Sequence, residues 1–96
     1  MIFEWDPAKN ARNVGKHGVS FATASRIFEG PVFRAEDTRR DYGELRWNSI
    51  GMVDGLAILA VTHTNRSGVT RIISARSANR IERKRYDDTI RERTQP

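Results

Sequence analysis

There is no cysteine among the 96 residues. That absence removes a disulfide framework, thiolate zinc sites and a cysteine nucleophile together, and it suits a reducing compartment. No stretch approaches the roughly 18 apolar residues of a membrane span. Met1-Ile2-Phe3-Glu4-Trp5-Asp6 has neither the basic nor the apolar region of a signal peptide. A cytoplasmic protein with no membrane partner is therefore expected. There is no His-x-x-x-His spacing, no repeat, no linker and no low-complexity segment. Asp37, Asp41 and Glu44 lie in a polar stretch balanced by arginines, so neither a metal nor another cofactor is expected.

What is present suits one small domain spanning 1–96. A chain this short buries only roughly 60–68% of the surface its unfolded form exposes, so its core is thin. Hydrophobic residues at 38% against charged residues at 30% fit a folded globular protein and are too apolar for a disordered one. The net charge is +5, and its distribution matters more than its size. Residues 76–96 carry seven Lys/Arg against four Asp/Glu, whereas residues 34–46 carry four of each. A basic C-terminal third attracts a polyanion, either nucleic acid or an acidic protein. A charge-rich helix that merely keeps a small protein soluble has the same composition.

Local patterns order the chain as β-α-α-β-β-β-β-α. Ile2 to Trp5 alternates as a short strand. Asp6-Pro7 is an N-cap followed by proline at the first helical position, and Gly18 supplies the left-handed residue that ends the helix near His17. Ser20 caps a second helix whose Phe21, Ala24 and Ile27 recur at helical spacing until Gly30. Pro31 to Arg34 opens a strand and 36–43 is a polar loop. Three strands follow: 45–52, a hairpin at Asp54-Gly55, 56–63, a turn at 64–68, then 69–76. Ser77 or Asn79 caps the last helix, Asn79 with Glu82 three residues on having the spacing of a loose capping box, and its apolar residues make no broad stripe. Helices followed by a run of strands predict an α+β fold, with the first two helices on one face of an antiparallel sheet. Trp5 and Trp47 are expected in the core.

The segment from Arg71 through Arg76 to Glu82 and Tyr86 concentrates the chemistry. Arginines bound a short strand, and a carboxylate and a phenol share one side of the helix that follows. Guanidiniums, a carboxylate and a phenol can serve a metal-free ribonuclease: a base for the 2′-hydroxyl, an acid for the leaving oxygen, and cations for the phosphorane. Arg76 ends a strand just before a helix N-terminus, where a guanidinium can grip a phosphate with two parallel bonds. Arg46, Arg71 and His63 are the further strand candidates, His63 being expected at a solvent-open strand end. For each, a surface ion pair or an ordinary hairpin histidine fits equally well. Glu82 fits a helix-capping carboxylate paired with Arg76 as well as a base, and Tyr86 fits a docking residue as well as an acid. Lys9, Asn13 and Lys16 run along one side of the first helix, and His17 ends it. The first three suit RNA-backbone contacts, a partner surface or a solvated face, whereas His17 fits a C-terminal helix residue bonding the last carbonyls as well as a catalytic one.

Three ordered blocks resemble a known family. Phe3-Glu4-Trp5-Asp6-Pro7 with Lys9, Asn13 and Lys16-His17-Gly18-Val19-Ser20-Phe21 is similar to the N-terminal signature of the BrnT toxins. Arg46 through Ile50-Gly51 resembles that family's middle strand. Arg71-Ile72-Ile73-Ser74-Ala75-Arg76, Ala78, Glu82-Arg83 and Tyr86 resemble its C-terminal signature. The resemblance implies a ribonuclease toxin of a type II toxin–antitoxin pair with a RelE-like fold. It also implies a BrnA antitoxin that neutralises the toxin and represses their operon through a ribbon-helix-helix domain, so that operator DNA is met only through the antitoxin. The expected catalytic set is Arg46, His63, Arg76, Glu82 and Tyr86, with Lys9, Lys16, His17, Arg71 and Arg83 binding RNA. A non-enzymatic basic module that binds nucleic acid or an acidic protein is the alternative.

Overall fold

The computed structural model describes residues 1–94. The elements are β1 (Ile2–Glu4), α1 (Pro7–His17), α2 (Phe21–Ser25), a 3-10 turn (Arg26–Glu29), β2 (Val32–Glu36), β3 (Trp47–Val53), β4 (Ala57–Arg66), β5 (Val69–Ser77) and α3 (Arg80–Thr94). None of these helices is long and apolar enough to cross a membrane.

The caps act as the sequence implies. Asp6 accepts the backbone N–H of Ala8 at 2.8 Å, and Gly18 closes α1 at φ 71°. The Ser20 hydroxyl accepts the Thr23 N–H at 3.1 Å and starts α2. Asn79 and Glu82 exchange side-chain and backbone bonds at 2.8 and 2.9 Å, a reciprocal capping box that begins α3. Asp54 and Gly55 both have positive φ, the conformation a tight hairpin requires. The second hairpin is tighter than expected. β4 runs on to Arg66, and the turn is Ser67-Gly68, with φ 53° and 84°.

The α+β architecture and element order are those read from the sequence, and the sheet is mixed. β2 to β5 form an antiparallel meander, while β1 lies parallel beside β5 with Ile2 opposite Val69 and Glu4 opposite Arg71. The strand order is β1-β5-β4-β3-β2.

Alternation along the strands makes two unlike faces. Val53, Leu59, Val61, Ile72 and Ala75 pack with Phe21, Ala24 and Ile27 under the first two helices. Ala75 and Ile72 share this face although three residues apart, because a bulge opposite Thr62/His63 leaves Ile73 without a partner in the register. On the other face Ile50, Ala60, Met52, Ile58 and Phe33 pack beneath Tyr86 and Ile90 of α3. That helix covers one end only. Beyond it the face changes from apolar to polar, with Asn48, Thr62 and Ser74 side by side in register. The uncovered end has nothing apolar to hide, so no helix is needed over it.

Candidate active site

The uncovered polar end is the floor of a cleft of about 470 Å³. Thr62 donates from Oγ1 to Asn48 Oδ1 at 2.7 Å, which fixes an amide and a hydroxyl in the floor. Three walls carry charge. Lys16 and His17 come from the last turn of α1, Arg76 and Glu82 from the β5–α3 junction, and Arg39 from the loop after β2. Glu82 is the one acid among the lining residues, so cations dominate.

The α1 wall is held by an unusual edge contact. β1 covers β5 only from Val69 to Arg71, leaving the rest of that edge unpaired by strand. Asn13 supplies the missing partner. Its Nδ2 donates to the carbonyls of Ala75 and Val19, both at 2.8 Å, and its Oδ1 accepts the Ala75 N–H at 3.1 Å. The buried amide thereby fastens α1 to the residue preceding Arg76. Asn10 adds a bond from the Phe21 N–H at 2.8 Å, joining α1 to α2. Asn13 is thus buried and structural, which corrects its reading as part of a solvated or RNA-facing side.

At the second wall Arg76 and Glu82 form a two-bond fork, 2.7 and 2.9 Å. Those bonds, ahead of other effects, hold Glu82 below the ordinary carboxylate range and raise Arg76. Glu82 is therefore held as the carboxylate that aims Arg76. The third wall was not read from the sequence. Asp37 is buried, and its carboxylate accepts Arg39 Nε at 2.9 Å and Nη2 at 2.8 Å. A loop has no periodicity from which to read a facing side chain; the short Asp37-x-Arg39 spacing was the only available signal.

The remaining candidates lie elsewhere. His63 is 6% exposed on the opposite face of the sheet, with Nε2 2.7 Å from Ser49 Oγ and its ring edge-on to Phe28. Burial, reinforced by Arg34, pushes it down to about 4, so it is neutral and shielded from the cleft. The longer β4 carried it from an expected strand end to mid-strand. Tyr86 is also buried; its hydroxyl donates to the Pro31 carbonyl at 3.3 Å, and burial raises it. It docks α3 on the sheet and keeps its proton. Arg46 stacks on Tyr42 at 4.2 Å and pairs with Glu44 at 3.2 Å, outside the cleft. Arg71 pairs with Glu4 at 3.5 Å on the far side of the polar row. Lys9 is exposed and does not line the cleft, and Arg83 bonds the Ala78 carbonyl at 3.1 Å on α3. Trp5 packs against the core, and Trp47 is half-buried with Arg34 above it at 4.3 Å.

A family model described as the ribonuclease toxin, BrnT, of type II toxin–antitoxin systems matches residues 5–82. The crystal structure of the Brucella abortus ribonuclease toxin, BrnT, is 31% identical over 83% of this chain and 100% of that one, with a TM-score of 0.62. No curated protein sequence matches the chain.

Proposed function

We propose, from the premise that the chain belongs to the BrnT family of ribonuclease toxins of type II toxin–antitoxin systems, that RNA is cut in the cleft between α1, the Arg39 loop and Arg76. One observation carries this reading: Arg76, Arg39, Lys16 and His17 converge over an uncovered floor of amide and hydroxyl groups.

The chemistry supported by those groups is attack of the 2′-hydroxyl on its own 3′-phosphate, without a metal. Arg76 and Arg39 neutralise the charge that grows on the phosphorane oxygens. Lys16 adds a third positive charge at the rim. His17 is the one imidazole lining the cleft, a side chain able to take a proton from the 2′-hydroxyl or to give one to the 5′-leaving oxygen. Glu82 aims Arg76. The reaction belongs in the cytoplasm, where an antitoxin of the BrnA ribbon-helix-helix kind restrains the enzyme and carries it to operator DNA.

The test is RNA cleavage by purified protein in EDTA. Fragments should end in a 2′,3′-cyclic phosphate and begin with a 5′-hydroxyl. Mass spectrometry showing 5′-phosphate ends, or loss of activity in EDTA, overturns the mechanism. Arg76→Ala should lower activity about 30- to 1000-fold through the lost transition-state contact. Arg46→Ala and Arg71→Ala should cost much less, since both side chains are engaged outside the cleft. A folded Arg76→Ala protein that cuts RNA at the wild-type rate removes the cleft from consideration, whereas wild-type protein that binds RNA and leaves it uncut replaces the enzymatic reading with a basic binding module.

A further inference from the structure

The loop from Asp37 to Arg46 is built around a buried charge. Its neck is closed by the Asp37 N–H donating to the Arg46 carbonyl at 2.8 Å. The Asp37 side chain is 1% exposed, and a buried carboxylate is costly unless its oxygens are fully bonded. They are. The Arg39 backbone N–H at 3.2 Å, its Nε and Nη2, and the Tyr42 hydroxyl at 3.0 Å all donate to it. The Tyr42 ring is in turn backed by the Arg46 guanidinium.

All this organisation is directed at a side chain that is itself 70% exposed. A surface arginine without such support samples many rotamers, and a simple exposed ion pair gains little. Arg39 instead has its planar fork gripped along one edge by a fixed carboxylate. Three of its N–H groups remain for an anion on the other side. Arg39 and Arg76 line the same cleft, so the two guanidiniums face one space. Glu82 backs Arg76 in the same two-bond manner.

We propose that Asp37 is a positioning residue for RNA cleavage, presenting Arg39 to the reacting phosphate as Glu82 presents Arg76. This rests on the reading of the Arg76 cleft as the ribonuclease site. Asp37 never meets the RNA; it acts through Arg39, and the benefit is realised as negative charge builds on the phosphate.

A double-mutant cycle on a fluorogenic RNA tests it, with circular dichroism reporting the fold. Arg39→Ala and Asp37→Asn should each lower kcat/KM by about ten- to a hundredfold, the range of one charge-assisted contact, with the loss falling mainly on kcat. The double variant should lose no more than Arg39→Ala alone. Losses that multiply would make Asp37 a support for the loop at large and overturn the proposal. So would wild-type kinetics in Asp37→Asn. Arg39→Lys keeps the charge and leaves the buried carboxylate in place, yet cannot be forked. It should lose about tenfold, so wild-type activity there overturns the proposal even where Asp37→Asn fails to fold. Arg76→Ala run alongside separates the two levels. If it is impaired while Asp37→Asn is not, only the positioning role fails. If Arg76→Ala cuts normally, the cleft is not the site and both readings fall.

Discussion

A single side chain changes meaning with the face it occupies. Arg76 could be placed from the sequence because strand, capping box and helix adjoin it directly, and Glu82 at capping spacing leaves little freedom in where the pair points. His63 could not be placed that way. Its place in the strand depends on where the next turn falls, since β4 runs on past it to Arg66, and that leaves no local pattern. Arg39 was invisible for a third reason, since it is aimed by a buried loop carboxylate and no period exists there to read. The misplaced histidine has a measurable consequence. His63 is pushed down to about 4 in the fold from an ordinary 6.5, so between those values the unfolded chain holds the extra proton. Stability should therefore fall as acidity rises through that window, by roughly 2 kcal/mol between pH 7 and pH 5. Asp37 and Glu82, held below their ordinary 3.8 and 4.5, keep their contributions until the solution is more acidic still. Urea unfolding at both pH values should show this slope in the wild type and a flatter one in His63→Gln. Equal slopes would place the titrating group elsewhere. His63→Gln should also cleave RNA far better than His17→Ala, because only His17 lines the cleft.

At the scale of elements, local rules settle the helices and hairpins, and long-range pairing supplies the rest. Asp6-Pro7, Gly18, Ser20 and Asn79 mark their boundaries because caps act within a few residues. The parallel pairing of β1 with β5 joins residues 67 positions apart, and three residues of strand carry no signal of their partner. The shortness of β1 creates the need that Asn13 fills. Where the strand stops, an amide from α1 bonds both backbone groups of Ala75 and so ties the Lys16–His17 end of the helix to the Arg76 strand. Asn13→Ala would leave the Ala75 N–H and C=O and the Val19 carbonyl without this partner in a buried place. The cost should be about 2–4 kcal/mol, by the penalty for unsatisfied buried groups. Cleavage measured well below the melting point should fall as well, since one wall of the cleft loses its anchor. Asn10→Ala is the control, because it loosens α1 from α2 while leaving the β5 edge paired. If Asn13→Ala unfolds at the wild-type urea midpoint, the side chain is not the edge partner that its distances indicate.

Over the whole molecule, charge and uncovered surface lie together. The net charge of +5 is weighted toward the C-terminal third, and α3 begins at the rim of the cleft through Glu82. Arg80, Arg83 and Lys84 line a groove along α3 with Asp87 and Asp88, and Arg85 is exposed on the same helix. α3 meets the sheet through Tyr86 and Ile90, so its exposed side is available without disturbing the core. An inhibitor that must block RNA has two reasons to bind here: it reaches the cleft from α3, and an acidic segment would meet the same positive field that draws RNA. Such a contact should associate faster at low salt and weaken as salt rises, since exposed charges are screened over roughly 8 Å at physiological ionic strength. Replacing Arg80, Arg83 and Arg85 by glutamate should leave Tyr86 docked and the fold intact, because none of the three is buried. Affinity for the cognate antitoxin, measured by calorimetry at two salt concentrations, should fall in the triple variant and lose most of its salt dependence. Cleavage of RNA should be less affected, as Arg76, Arg39 and His17 remain in place. Unchanged affinity would move the interface off α3, and the exposed Lys9–Lys16 side of α1 would then be the next basic surface bordering the cleft.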